Sequence, residues 1–121
     1  MILVDTSVWV QHLRQGDPEL AQLLDRTFVL GHPFVTGELA LGNIPRRTEV
    51  LGLLERLPGA LVARRSEVMQ LIDNEGLVGS GIGYVDACLL ASARITPEAL
   101  FWTRDRRLNV VALKIGVAFP I

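Results

Sequence analysis

The chain has 121 residues, half of them hydrophobic, with a mean hydropathy of +0.36 and a formal net charge of −1. That length supports one core but not two, and that composition excludes a disordered or low-complexity chain. The lone cysteine, Cys88, excludes an internal disulfide and a thiolate zinc site, and the two histidines, His12 and His32, are too far apart in sequence to suggest zinc.

Ile2 to Asp5 reads as a short buried strand, an apolar run closed by a polar residue. Thr6 or Ser7 is then placed to cap a helix reaching about Leu13 or Arg14, with Val8, Trp9 and Leu13 on its inner side. Asp17-Pro18 is a cap followed by proline at the first helical position, predicting a helix to about Asp25 with Leu20, Leu23 and Leu24 inward. Phe28 to Leu30 is a brief strand. A helix from Pro33 is expected to end at Gly42 in the left-handed conformation, and another from Arg46 to Leu57 to be closed by Pro58-Gly59.

Further along, Leu61 to Ala63 is an apolar strand candidate, followed by a helix from Ser66 or Glu67 to Glu75 that ends at Gly76. Gly79 to Gly83 has the wrong spacing for a dinucleotide fingerprint and is expected to be a flexible turn. A helix from Tyr84 to Arg94, a strand from Leu100 to Thr103, a short helix from Asp105 to Asn109 and a strand from Val117 to Phe119 complete the reading. Strands alternate with helices and are uniformly apolar. The expected fold is therefore a single α/β domain over residues 1–121, with a mostly parallel central sheet flanked by helices on both faces.

Side chains of different strands meet at the carboxyl ends of such a sheet, and Asp5 and Asp105 both occupy that position. Glu38 shares its helix face with Phe34 and Leu41, and Asp86 with Leu89, Leu90 and Ala93, so both acids are expected to point inward. Any one of these acids alone is ordinary as a cap or surface residue. Four directed at one pocket repel, and a hard divalent cation, magnesium or manganese, resolves the conflict. Such a centre can activate water and neutralise charge on a phosphate. Setting these four acids aside turns the net charge of −1 into +3, and eleven of the twelve basic residues are arginine, with Lys114 the exception.

Four blocks of the sequence carry a resemblance. They are Leu3-Val4-Asp5-Thr6-Ser7-Val8-Trp9, Gly37-Glu38-Leu39-Ala40-Leu41-Gly42, Asp86-Ala87-Cys88-Leu89-Leu90-Ala91-Ser92-Ala93, and the segment from Leu100 to Leu108 around Asp105. In order and spacing they resemble the PIN-domain endoribonucleases, and among them the VapC-type toxins of bacterial toxin-antitoxin pairs. The resemblance implies an Mg2+ or Mn2+ dependent hydrolase that cuts phosphodiester bonds in single-stranded or loop RNA and leaves 5'-phosphate and 3'-hydroxyl ends. It assigns Asp5, Glu38, Asp86 and Asp105 as catalytic and metal-binding acids, with Asp5 and Asp86 closest to the principal ion. It also implies a cognate antitoxin protein, a homodimer and a toxin-antitoxin hetero-oligomer.

Around these acids, Thr6 and Thr103 are candidates to hydrogen-bond a ligand carboxylate, and Arg104, Arg106 and Arg107 to contact RNA phosphates without reading bases. Arg14, Arg46 and Arg47 are weaker candidates. Trp9 and Trp102 are expected to fill core rather than stack on bases, His12 and His32 to serve packing or capping, and Cys88 to be a small buried apolar residue. No apolar run approaches the ~20 residues of a membrane span, and the opening residues lack a basic, cleavable leader. A cytoplasmic protein is expected.

Three rival readings carry their own requirements. A receiver-like magnesium-binding signalling domain needs an acidic pair after its first strand and a lysine near the site, whereas Asp5 stands alone and Lys114 lacks that context. A haloacid-dehalogenase-type phosphatase needs an aspartate where Ser7 stands. A non-catalytic binding module would have to tolerate the same acids without a metal.

Overall fold

In the computed structural model, which describes residues 1–120, Ile2–Val4 forms strand β1 and Thr6–Gln15 helix α1. There follow α2 (Pro18–Asp25), β2 (Val29–Leu30), α3 (Pro33–Leu41), α4 (Arg47–Arg56), α5 (Arg65–Asn74), α6 (Tyr84–Ile95), β3 (Leu100–Trp102) and α7 (Arg106–Lys114). The sheet order is β2-β1-β3 and both pairings are parallel. Leu3 lies opposite Leu30 on one side and Phe101 on the other. Successive strand residues face opposite sides of a sheet, yet Ile2, Leu3 and Val4 are all buried. Both faces must therefore be covered, as an apolar parallel sheet requires.

The helices carry the local signals that place them. Asp17 accepts hydrogen bonds from the N–H groups of Glu19 (3.0 Å) and Leu20 (3.1 Å), capping α2 ahead of Pro18. Glu67 closes the start of α5 by accepting from Arg64 N at 2.8 Å. Helix α6 buries every residue from Ala87 to Ala93 and packs against α5 and β3, so it is the central helix of the domain. No described helix is long and apolar enough to cross a membrane.

Several expected boundaries move, each for a local reason. Leu61 to Ala63 is not a strand: Leu61 N donates to Thr96 Oγ1 (2.9 Å) and Ala63 N to Ser92 Oγ (3.1 Å), so hydroxyls take donors a ladder would need. Only a single parallel bridge, Gly31 with Gly59, forms just before it. The expected strand from Val117 to Phe119 is likewise one bridge, Ala118 to Phe101, flanked by two backbone hydrogen bonds to β3. Gly42 is extended (φ −84°, ψ 165°) instead of left-handed, and Arg46 is the left-handed residue (φ 48°), standing just outside α4. The helix expected to span Asp105 to Asn109 continues to Lys114, and Asp105 is its cap.

His32 joins three elements. Its Nδ1 accepts the Phe34 N–H (3.0 Å) to cap α3, which leaves Nε2 to carry the proton and donate to Ser92 Oγ (3.0 Å) on α6. The ring is buried, and burial lowers its pKa from the ordinary 6.5. The folded state thus binds the proton more weakly than the unfolded chain, so stability is full above about pH 6.5 and declines as pH falls toward the lowered value. Urea unfolding should show a midpoint that drops between about pH 7 and pH 5 in the wild type. In His32→Asn, which keeps a capping oxygen and cannot titrate, that part of the drop should disappear.

Candidate metal centre

Asp5 follows β1 directly, and its backbone N–H extends the ladder by donating to Trp102 O at 2.9 Å. Its carboxylate is buried, with Oδ2 accepting from Ser7 Oγ (2.7 Å) and Thr103 Oγ1 (2.8 Å). Each hydroxyl oxygen in turn accepts a backbone N–H from the turn after β3: Ser7 from Arg104 and Thr103 from Asp105, both at 3.1 Å. Those incoming donors leave each hydroxyl hydrogen to point at Asp5. Thr103 thus occupies its expected position against a carboxylate. Thr6 also reaches one, donating to Glu38 Oε1 at 2.6 Å. Neither Thr6 nor Ser7 caps α1; Asp5 is the residue at the cap position, without a side-chain capping bond.

The other three acids come from helix starts or a helix face. Asp86 lies in the first turn of α6, half-buried, with Oδ2 accepting Gly83 N at 3.2 Å. Asp105 is exposed and caps α7 by accepting Leu108 N at 3.1 Å. Glu38 corrects the sequence reading, because it is exposed and its face of α3 is not the core face. Phe34 and Leu41 are themselves exposed, and α3 buries Val35 and Leu39 instead, one position further round. Glu38 is held at the site by Thr6, not by burial.

Electrostatics tie the four together. Burial raises the Asp86 carboxyl above its ordinary 3.8, the Gly83 N–H opposes that, and the negative charges of Asp5, Asp105 and Glu38 raise it further. Each acid has one oxygen engaged by a hydroxyl or backbone donor, leaving its second oxygen without a protein donor among the described residues. No three of them converge closely enough to form a ready ligand cage among the described residues. This donor set fits a hard divalent cation that takes one or two carboxylates directly and keeps much of its water.

The flanking residues sort unequally. Arg104 forms a salt bridge with buried Asp17, and its guanidinium lies 5.7 Å from the centre of the Trp102 ring, so its charge is already committed. The Asp17 carboxyl is held below the usual range: burial acts upward, but the Leu20 N–H, Arg104 and the Glu19 N–H outweigh it. Arg106 and Arg107 are exposed at the start of α7. Arg107 lies over Gly81, where φ is +87° and glycine is favoured; a Cβ there would meet only the mobile end of the Arg107 side chain.

Trp9 and Trp102 are buried, and neither ring offers a face for base stacking. His12 accepts the Asp17 N–H, and Cys88 is buried and free. Lys114, the lysine a receiver domain would need beside the acids, instead donates to Glu75 O. Sequence reasoning missed Ser7 as a partner of Asp5 and missed the Asp17–Arg104 pair. A hydroxyl two residues after a strand-end aspartate was the available signal for Ser7. Nothing in the sequence marks a pairing across 87 positions.

Comparison with known proteins adds an independent line. A family model described as PIN domain matches residues 2–114. The chain is 47% identical over 118 residues to a protein named Ribonuclease VapC32 from Mycobacterium tuberculosis strain CDC 1551 / Oshkosh. The same identity holds for its namesake from strain ATCC 25618 / H37Rv, and each alignment covers 98% of this chain and 95% of the relative.

Crowding of charge makes the acids a burden on the fold when no cation is bound. Asp86→Asn keeps an oxygen for the Gly83 N–H while removing one charge from the cluster, so in EDTA it should melt at or above the wild-type temperature. On adding Mn2+ the wild type should gain more than the variant, because a ligand that binds only the folded state stabilises it by mass action. Thermal unfolding of both proteins with and without metal reads both effects, and a variant that melts far lower in EDTA would make Asp86 a structural carboxylate.

Proposed function

This chain belongs to the PIN-domain family, and on that premise we propose that it is a divalent-metal-dependent endoribonuclease, the toxin of a toxin-antitoxin pair. The observation that carries the reading is Asp5 at the carboxyl end of the central strand, fixed by Ser7 and Thr103, with its neighbour Thr6 bonded to Glu38 and Asp105 two residues past Thr103. The likeness over nearly the whole chain to relatives named as ribonucleases supports it.

When bound, a cation supplies a more acidic water and takes up negative charge on the phosphate during displacement. The chain's residues do the rest. Asp5, its Oδ2 fixed by Ser7 and Thr103, offers its other oxygen from a rigid position, and Asp86, in the first turn of α6, feels its charge. These two are the acids we assign to the principal ion, Mg2+ or Mn2+. Glu38 and Asp105, both more exposed, complete the shell or orient the attacking water. The water oxygen bonds to phosphorus, the bond to the 3' oxygen breaks, and that oxygen takes a proton to leave 5'-phosphate and 3'-hydroxyl ends.

The substrate class is single-stranded or loop RNA, where the backbone is open to in-line attack. Arg106 and Arg107, exposed beside Asp105, are the better placed of the three arginines for phosphate contact, since Arg104 is engaged by Asp17. A cognate antitoxin would oppose the site with a basic side chain, and the chain would act as a homodimer within a toxin-antitoxin hetero-oligomer.

Labelled cellular RNA incubated with the protein tests the reading directly. Cleavage should occur with Mg2+ or Mn2+, stop in EDTA, and fall to background in Asp5→Asn even with metal. Mapped ends should carry 5'-phosphate. Cleavage that persists in EDTA, or in Asp5→Asn at the wild-type rate, would overturn the metal mechanism.

A further inference from the structure

A groove of about 420 Å3 runs along α1 and shares Ser7 with the Asp5 carboxylate. It is lined by Ser7, Val10, Gln11, Arg14, Gln15 and Arg104. Ser7, Gln11 and Arg14 recur at helical spacing, so they form one stripe of α1. Ser7 belongs to both sites: its hydroxyl donates to Asp5 and accepts the Arg104 N–H. We infer that this groove binds a phosphate of the RNA strand one or two nucleotides from the scissile bond, with Arg14 as its cation. This rests on the ribonuclease reading and adds to it where the strand runs.

Four features of the groove favour a phosphate. No carboxylate lines it, in contrast to the adjoining cluster of four acids, and Arg14 supplies the positive charge a polyanion needs to approach that cluster. Arg14 is exposed and has no ion-pair partner among the described residues. Gln11 and Gln15 add amide donors. No aromatic face is exposed in the lining, so the groove is suited to backbone rather than to stacked bases.

Reach also agrees. Arg14 follows Ser7 by seven residues, roughly 10 Å along the helix, and helical side chains lean toward the N-terminus, so its guanidinium is carried back toward the acid site. Arg104, neutralised by Asp17 and stacked on the Trp102 ring, walls the groove without competing for the phosphate, which leaves Arg14 as the group that meets it.

The test compares Arg14→Gln with Arg94→Gln, which removes the same charge from the far end of α6. Anisotropy of a short fluorescein-labelled single-stranded RNA is followed in EDTA across a salt series, beside cleavage kinetics in Mg2+. Arg14→Gln should weaken binding and raise KM on the order of tenfold, leave kcat within about twofold, and flatten the salt slope by about 0.7, the release expected for one single-strand phosphate contact. Arg94→Gln should do none of these. If the two variants behave alike, the groove holds no phosphate, and if Arg14→Gln loses only inhibition by the antitoxin, the groove belongs to a protein partner; either result overturns the inference. Should the wild type cut no RNA, the ribonuclease reading fails by itself, and the anisotropy slopes still decide the groove.

Discussion

A carboxylate buried at the end of the central strand has to be satisfied, and the rest of the site is arranged around that need. Asp5 is largely covered, so one of its oxygens takes two hydroxyl donors, Ser7 and Thr103, and only the other is left toward solvent. An uncompensated charge in that position would cost several kcal/mol, more than most single contacts return. The hydroxyls are themselves oriented by the N–H groups of Arg104 and Asp105, so the turn after β3 cannot shift without loosening Asp5. Asp17 then fixes that turn from outside through Arg104. The position of Asp105, the cap of α7, follows from the same turn.

This arrangement divides rigidity unevenly among the four acids. Asp5 is held by two elements and a covered sheet; Asp86 has one backbone donor, and Glu38 a single hydroxyl on an exposed face. The fixed acid defines where the charge is, and the looser ones can adapt to what arrives. Their mutual repulsion works against the fold, which tolerates it because the charges gather at one end of a sheet whose strands are otherwise wholly apolar. Favourable burial and unfavourable charge are thus kept in separate parts of the molecule.

Much of this was legible in the residues themselves. Short apolar runs with an acid at their ends located β1 and β3, and Asp17-Pro18 located α2, because each signal is local and physically specific. The four acids stood out in the sequence as carboxylates at strand ends and on apolar helix faces, and the structure leaves two of them, Glu38 and Asp105, exposed. What escaped depended on distant partners. Whether Leu61 to Ala63 joins the sheet is decided by Thr96 and Ser92, which take its donors first. Periodicity placed Glu38 on an inner face because it counted Phe34 and Leu41 as core, and both are exposed. The hydroxyl of Ser7 has equally good uses as a cap or as a carboxylate partner, and only the nearness of the turn after β3 chooses between them.

The strand order has a consequence for how the molecule is made. β1 is first in the chain yet lies in the middle of the sheet, and its second neighbour, β3, arrives near the end. Asp5 and Thr103, which bond directly, are 98 positions apart. During synthesis Asp5 therefore emerges with one flank of its strand unpaired, and 98 positions separate it from the turn carrying Thr103 that closes over it. A ribosome-bound fragment holds the first acid without its supports. Assembly of the acid cluster is thus deferred until Thr103 and Asp105 have been made, long after the first acid has left the ribosome.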